Sequence, residues 1–271
     1  FDGVVFGKSP RCELMQANDG KLYGSATLGG AGGNGVLFQY NISTLTFTKK
    51  IDFGAPEGKY PYSSLVKASN GNLYGMTRFG GTYDKGLIFK YDPHTHIYSK
   101  KYSFNLDSIL GYFPECSFME ASDGKLYGMT QYGGLNDKGT LFYFDPILDT
   151  VVKKYDFDGT NGQQPIGTLI QASDGKLYGT TYTANGLTNS GGTLFQFDIS
   201  TNTYTKKVDF ASYGGSGAQP MGALVEAPNG KLYGMTEFGG IAPASLGVLF
   251  QYDPSTNIYT KKILIDIDED F

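Results

Sequence analysis

The residues able to perform acid–base, nucleophilic or metal chemistry are few in this 271-residue chain. Its two histidines, His94 and His96, lie in a turn-like segment without the acids or cysteines that a zinc site needs. The two cysteines, Cys12 and Cys116, are 104 positions apart and make no disulfide framework. No nucleophile elbow, phosphate-binding loop or Cys-x-x-Cys pair is present. We therefore predict no catalytic residue, no metal site and no cofactor, and interpret the protein as non-enzymatic.

The carboxylates recur along the chain instead of clustering. Asp92, Asp145, Asp198 and Asp253 stand at similar positions just after apolar segments, which favours turn initiation over paired acid–base residues. Calcium is an open alternative at Asp84, at Asp137 or within residues 266–270, although their spacing matches no calcium-binding loop.

The composition is that of a turn-rich β protein. The chain has 39 Gly, 21 Tyr and 19 Phe, and only 18% of its residues are charged. The net charge of −4 argues against a nucleic-acid partner. No run approaches the roughly 18 apolar residues of a membrane span, so we expect none.

A repeat of about 52 residues organises the whole sequence. Leu-Tyr-Gly begins at positions 22, 73, 126, 177 and 232. Each copy predicts an inner strand such as 64–68, then an Asp/Asn-Gly turn with positive φ at both central residues. The Leu-Tyr-Gly strand follows, then a third strand that Asp-Pro ends in three copies, and an outer strand with a Lys-Lys pair.

Four antiparallel strands at this period predict an all-β, five-bladed β-propeller. We expect one domain over residues 1–271, with blades near 10–60, 61–113, 114–164, 165–219 and 220–271. Five blades in one closed ring is the expectation. A segment of a longer array is the alternative, because residues 1–3 repeat the sequence of residues 157–159.

Two further patterns predict packing and not chemistry. The residue two positions after the inner-strand proline is always small, which we attribute to crowding near the axis: Cys12, Ser63, Cys116, Gly167 and Gly222. The five Lys-Lys pairs hold ten of the 22 basic residues, and we interpret them as protection of exposed outer edges.

The candidate ligand-binding residues lie on the longer, more variable loops, which follow the second strand and precede the first. Two consecutive positions there combine varying polar groups with aromatic rings, a pairing suited to carbohydrate. The alternative is that the rings cap the blade core. The candidates are Arg78, Phe79, Gln131, Tyr132, Tyr182, Glu237 and Phe238.

The repeat resembles the GloVer tandem repeat family of bacterial extracellular proteins. The resemblance rests on Asp-Gly-Lys-Leu-Tyr-Gly-Met-Thr at 123–130 and Gly-Thr-Leu-Phe at 139–142, with their four counterparts. Blade 4 departs from it, since Thr183-Ala184 replaces Gly-Gly. The resemblance implies an extracellular location, secreted or on the cell surface, and no catalytic residue.

Two functions follow as hypotheses. The first is a non-enzymatic extracellular module that binds a glycan or surface polymer through the variable loops. The second is a structural or protein-interaction scaffold in a larger secreted or cell-surface assembly. An enzyme is the reading that the residue inventory favours least.

Overall fold

The computed structural model describes residues 7–106, 109–184, 190–211, 216–239 and 246–264. Within these ranges every regular element is a β-strand, and twenty strands form five four-stranded sheets. The fold is an all-β, five-bladed propeller with four antiparallel strands in each blade, which confirms the fold class. The described ranges hold no helix with the length and apolar character that crossing a bilayer requires.

The strands follow the chain as successive meanders. Blade 1 consists of β1–β4, at Met15–Gln16, Leu22–Ala26, Val36–Asn41 and Thr46–Asp52. Blade 2 consists of β5–β8, at Val66–Lys67, Leu73–Thr77, Leu87–Tyr91 and Tyr98–Ser103. Blade 3 consists of β9–β12, at Met119–Glu120, Leu126–Thr130, Thr140–Asp145 and Thr150–Asp156. Blade 4 consists of β13–β16, at Ile170–Gln171, Leu177–Thr181, Ser190–Asp198 and Thr203–Ala211. Blade 5 consists of β17–β20, at Val225–Glu226, Leu232–Thr236, Val248–Asp253 and Ile258–Leu264.

The chain divides into two compact units. The first contains Phe1–Gly133 and Leu141–Lys153, and the second contains Gly134–Thr140 and Lys154–Phe271. Blades 1 and 2 therefore belong entirely to the first unit, and blades 4 and 5 entirely to the second. Closure of a single ring stays a prediction.

The inner strand is shorter than the predicted 64–68, because β5 covers only Val66–Lys67. Upstream of β5, the Ser63 hydroxyl donates to the Met76 carbonyl at 2.9 Å and accepts from the Met76 amide at 3.0 Å. Cys116 Sγ bonds Met129 in the same two ways, at 3.4 and 3.1 Å. A side chain thus replaces the backbone ladder at this point.

The small residues at this position are therefore explained only in part by crowding. A Cβ on Gly167 would lie 3.0 Å from the Gly222 carbonyl and from Thr180 Oγ1. A Cβ on Gly222 itself would meet nothing within 4 Å. Hydrogen bonding to the second strand accounts for Ser63 and Cys116, and Cys12 and Cys116 are both free thiols.

The turn between the first two strands differs from the predicted type. In blade 1 the Gly20 amide donates to the Ala17 carbonyl at 3.0 Å, and only Gly20 has positive φ. Asp19 keeps negative φ, so the prediction of two positive-φ residues is wrong. The turn is a three-residue loop that ends in a left-handed glycine. Asp19 instead accepts hydrogen bonds from the Lys21 amide and the Tyr23 hydroxyl.

The Lys-Lys pair marks a β-bulge on the outer strand of blade 2. Ile88 pairs with Tyr102 and Phe89 with Lys100, which leaves Lys101 as the extra residue. Lys50, Lys207 and Lys262 occupy the same extra position in blades 1, 4 and 5. Because the outer strand is the edge of each sheet, bulges and lysines coincide where edge pairing would otherwise occur.

The repeated Leu, Tyr and Phe side chains pack between blades, as predicted. In the first unit Tyr23 and Leu37 of blade 1 pack against Leu65, Phe89 and Tyr91 of blade 2. The equivalent residues of blades 4 and 5 form a second cluster, with Tyr178 and Leu194 packed against Leu224, Phe250 and Tyr252. We call the side of a blade that packs on the next blade in the sequence its forward face. The side that packs on the preceding blade is its backward face.

Candidate ligand site on the loop side of blades 2 and 3

Strained residues position the loop side of every blade. The residue before each inner-strand proline has positive φ although it is not glycine: Ser9, Tyr60, Phe113, Gln164 and Gln219. Such backbone is uncommon for non-glycine residues, and strain of this kind occurs disproportionately at functional sites.

Hydrogen bonds on both sides hold this conformation. The Tyr60 amide donates to the Asn34 carbonyl of the preceding loop at 2.8 Å, and its carbonyl accepts from the Arg78 amide at 3.2 Å. Phe113 repeats the arrangement with the Lys85 carbonyl and the Gln131 amide, each at 3.1 Å. The scaffold is therefore constant where the side chains differ between blades.

In the first unit these variable side chains form what we call the loop-face cluster. It combines six aromatic rings, three cations and one carboxylate, all of them on segments next to the inner-strand prolines or on the loops after the second strand. Its members are Arg11, Tyr60, Tyr62, Arg78, Phe79, Lys85, Tyr112, Phe113, Glu115 and Tyr132.

Arg78 lies at the centre of the cluster. Its guanidinium carbon is 5.6 Å from the Tyr62 ring centroid, 5.2 Å from that of Phe79 and 5.7 Å from that of Phe113. Its Nε is 2.7 Å from Glu115 Oε1, an ion pair between blades 2 and 3. The three rings and the carboxylate hold a planar cation whose side chain keeps 30% of its surface exposed.

Glu115 is the one acid of the loop-face cluster. Burial raises the pKa of its carboxyl, and the positive charge of Arg78 only partly offsets that effect. The charged form of Glu115 is therefore disfavoured by burial, a perturbation found at functional sites and also in structural ion pairs.

The rings continue from blade 2 into blade 3. Tyr60 meets Phe79 edge-on at 5.9 Å, and Phe79 lies 4.8 Å from Phe113. Tyr132 then lies 6.3 Å from Phe113 and stacks on Tyr112 at 5.8 Å. All five are partly exposed, so the series presents ring surface as well as packing the loops.

Lys85 adds a second cation to this series. Its Nζ is 4.8 Å from the Phe113 centroid and 5.6 Å from that of Tyr112. Arg11 of blade 1 contacts Tyr62 at 5.6 Å. Three cations against one acid give the cluster a positive balance in a chain whose net charge is −4.

The structure brings together only some of the predicted site residues. Arg78, Phe79 and Tyr132 belong to the loop-face cluster. Gln131 places its Oε1 in a buried position without a hydrogen-bond partner among the described residues.

The remaining candidates lie in the second unit. Burial, and after it the negative charge of Glu237, raises the pKa of Tyr182. Phe238 is 45% exposed, and its backbone pairs with Ala218. At the position of the missing aromatic, Thr183 Oγ1 accepts a hydrogen bond from Gln163 at 3.0 Å.

Sequence reasoning missed Tyr60, Tyr62, Phe113 and Glu115. Tyr60 and Phe113 end the loops that precede the first strand, which the sequence analysis placed on the binding side without naming these residues, and Tyr62 and Glu115 follow the proline. Their variation from repeat to repeat on either side of a constant proline was the available signal.

The residues first considered for metal chemistry have local roles in the structure. Asp92 accepts the His94 amide at 2.8 Å, and His96 Nδ1 lies 3.2 Å from the Tyr91 hydroxyl. Asp84 accepts Lys59 Nζ at 2.9 Å. No group of three or more His, Cys, Asp or Glu in the described ranges is placed to hold a metal ion, and the 266–270 carboxylates lie outside those ranges.

Repeat, fold and variable loop side together define a tandem-repeat β-propeller. The chain belongs to the Gloeobacter/Verrucomicrobia repeat family, whose model matches residues 1–121 and 110–270. This confirms the family resemblance. No curated protein matches the sequence.

Two solved structures show the same fold at low sequence identity. TolB from Acinetobacter baumannii is 15% identical with a TM-score of 0.53, and the match covers 93% of this chain and 55% of that one. The extracellular domain of a protein described as a one-component system from B. thetaiotaomicron is 16% identical with a TM-score of 0.64. That match covers 98% of this chain and 29% of the other, so this chain spans about half of the first protein and under a third of the second.

Proposed function

We propose that the protein is a non-enzymatic extracellular module that binds a glycan or surface polymer through the loop-face cluster. The observation that carries the proposal is the arrangement around Arg78, where three half-buried rings and a desolvated carboxylate surround one planar cation. Ring faces stack on the C–H faces of a sugar, while guanidinium, amide and carboxylate groups bond its hydroxyls. The extracellular location is part of the proposal, and the similar B. thetaiotaomicron domain is described as extracellular.

The excess of positive charge in the loop-face cluster favours one chemical class of ligand. Arg11, Arg78 and Lys85 meet a single acid whose charged form burial disfavours. An acidic sugar complements this arrangement better than a neutral one, because its carboxylate or sulfate pairs with the planar Arg78.

A glycan array that includes uronic-acid and sulfated oligosaccharides tests this function. We expect wild-type protein to bind a subset of them, and Phe79→Ala and Tyr132→Ala to lose that binding. Phe238→Ala, outside the loop-face cluster, tests whether the second unit contributes. Tyr83→Ala is the matched control, since Tyr83 is an aromatic residue of the blade 2 loop that is 56% exposed. Equal loss in the control, or silence of wild-type protein across the array, refutes the proposal.

A scaffold within a larger assembly is the second candidate function. It is favoured by the forward face of blade 5, where Val225, Met235 and Ile263 are 63%, 60% and 58% exposed. Exposed apolar surface concentrated on one sheet face is typical of a protein–protein contact.

A further inference from the structure

The ion pair between Arg78 and Glu115 leaves most of the guanidinium group unbonded. Arg78 Nε lies 2.7 Å from Glu115 Oε1, but neither buried atom makes a hydrogen bond of normal geometry within the described ranges. The terminal nitrogens of Arg78 have no hydrogen-bond partner among the described residues either. The charge of Glu115 therefore offsets that of Arg78 while the donors at the end of the guanidinium stay available to a ligand.

The loop-face cluster has one acid for three cations. Arg11 and Lys85 form no ion pair in the part of the chain that the structure describes. Three positive charges less one give the cluster a charge of +2 while Glu115 is ionised, and it becomes +3 when Glu115 is protonated. Arg11 and Arg78 each lie 5.6 Å from the Tyr62 ring, so two guanidinium groups share one ring. The protonation state of Glu115 thus sets the charge that an anionic ligand meets.

The groups around Glu115 leave it as the acid of this cluster that titrates under mildly acidic conditions. Burial raises the pKa of its carboxyl, and Arg78 is the charged group in the described ranges that opposes this effect. Cys116, the next residue, stays a neutral thiol because burial raises its pKa to about 12. Asp84, on the blade 2 loop, accepts a hydrogen bond from Lys59 that lowers the pKa of its carboxyl. As the pH falls from 7 towards 4, Glu115 therefore gains a proton before Asp84 does.

We propose that Glu115 is a specificity-determining residue that makes the loop-face cluster select sulfated saccharides, and that it takes up a proton when a sulfate group binds beside Arg78. The unbonded nitrogens of the guanidinium donate parallel hydrogen bonds to the sulfate oxygens. The negative charges of Glu115 and of the ligand disfavour each other, so sulfate binding and protonation of Glu115 strengthen one another by the same factor. The inference rests on the proposed function and names the ligand class of the same site.

A sulfate ester suits this coupling better than a uronic acid. It keeps its negative charge throughout the range in which Glu115 titrates. A sugar carboxylate has a pKa of about 3–4 and begins to gain a proton at the acidic end of that range. The ligand that gains most from protonation of Glu115 is therefore the sulfated one.

Calorimetry with sucrose octasulfate at pH 4.5 and pH 7 tests the coupling. We expect wild-type protein to bind this probe roughly three- to tenfold more tightly at pH 4.5, a range that allows for solvent screening of partly exposed charges. Near pH 5.5, binding should take up protons, which appears as a binding enthalpy that depends on the ionisation enthalpy of the buffer. Glu115→Gln should bind more tightly than wild type at pH 7 and lose most of the pH dependence.

Asp84→Asn is the matched control for Glu115→Gln. Asp84 is also a carboxylate paired with a cation, 2.9 Å from Lys59 Nζ, but it lies outside the loop-face cluster. This variant should keep the wild-type pH dependence. If Glu115→Gln unfolds by far-UV circular dichroism, proton uptake by wild-type protein decides the matter, and its absence refutes the coupling.

The results separate this inference from the proposed function. Equal affinity of wild-type protein at both pH values overturns the inference and leaves glycan binding intact. A pH dependence that Glu115→Gln retains in full does the same. Failure of wild-type protein to bind the probe at either pH also overturns the inference, and the proposed function falls with it only if the glycan array is silent as well.

Discussion

At the scale of single residues, a glycine can be required because any side chain would collide with its packed neighbours. The glycine of Leu-Tyr-Gly shows this in every blade. A Cβ on Gly75 would lie 2.5 Å from Phe89 Cζ and 3.1 Å from Leu65 Cδ2, so the absent side chain makes room for the interface between blades. Positive φ is not the reason, since Gly75 lies in the strand β6.

Gly75→Ala should therefore overpack the interface and lower the free energy of unfolding by about 1–3 kcal/mol. Gly54→Ala is the control, because its Cβ would meet only Glu57 at 3.7 Å. Urea unfolding followed by circular dichroism measures both. Equal urea midpoints for Gly75→Ala and Gly54→Ala would contradict the conclusion that packing requires glycine at position 75.

The raised pKa of Glu115 predicts a pH dependence with a definite sign. A carboxyl whose pKa is raised in the folded protein stabilises the fold while it is protonated, and that contribution disappears as pH rises through the folded pKa. Wild-type stability relative to Glu115→Gln should therefore fall between pH 4 and pH 7. Urea midpoints of both proteins at the two pH values provide the comparison, and a difference that is constant or grows with pH counts against it.

At the scale of elements, the turn after the inner strand links two strands through one carboxylate. Asp174 accepts the Lys176 amide at 3.0 Å and the Tyr178 hydroxyl at 2.9 Å. Blade 2 has Asn70 at the same position, and its Nδ2 donates to the Tyr74 hydroxyl at 3.0 Å. Both Asp and Asn thus form a hydrogen bond with the tyrosine hydroxyl at this position of the repeat.

Asp174→Asn should consequently change the free energy of unfolding little, while Asp174→Ala should cost about 1–2 kcal/mol because the buried Tyr178 hydroxyl loses its partner. Thermal and urea unfolding of the two variants distinguish them. If Asn costs as much as Ala, the hydrogen bond is not what the position supplies.

The lysine at the β-bulge of the outer strand also connects secondary-structure elements. Lys101 Nζ lies 2.9 Å from Asp149 Oδ2, and Lys207 Nζ lies 2.9 Å from Asn257 Oδ1, so each reaches a turn of the next blade. Sequence alone placed these lysines on an exposed edge, but it carries no signal for a one-residue bulge.

A double-mutant cycle on Lys101→Ala and Asp149→Ala should give a coupling energy of about 0.2–1 kcal/mol that decreases in 1 M salt. Since Asp149 is 54% exposed, a larger value is not expected. Coupling that is absent at low salt contradicts the link between blades.

At the scale of the whole molecule, the repeat made the fold predictable and the site only partly so. Periodic Leu-Tyr-Gly, glycine turns and Asp-Pro stops specify four strands in each blade independently of loop sequence. Arg78, Phe79 and Tyr132 could be predicted from the sequence because they follow a constant motif. Their partners Tyr62 and Glu115 come from the segments that follow the inner-strand prolines, and Glu115 reaches Arg78 because blades 2 and 3 pack side by side.

Under the proposed function, side chains that repeat between blades carry the fold, and side chains that vary between blades carry recognition. Arg78→Gln tests this separation most directly, because blade 3 already has Gln131 at that position and folds with it. Binding to the oligosaccharides that wild-type protein selects, measured by calorimetry, should be lost in a variant that stays folded, with the free energy of unfolding lower by about 1–3 kcal/mol because Glu115 loses its cation. Retained binding by the folded Arg78→Gln variant would contradict the assignment of recognition to the loop-face cluster.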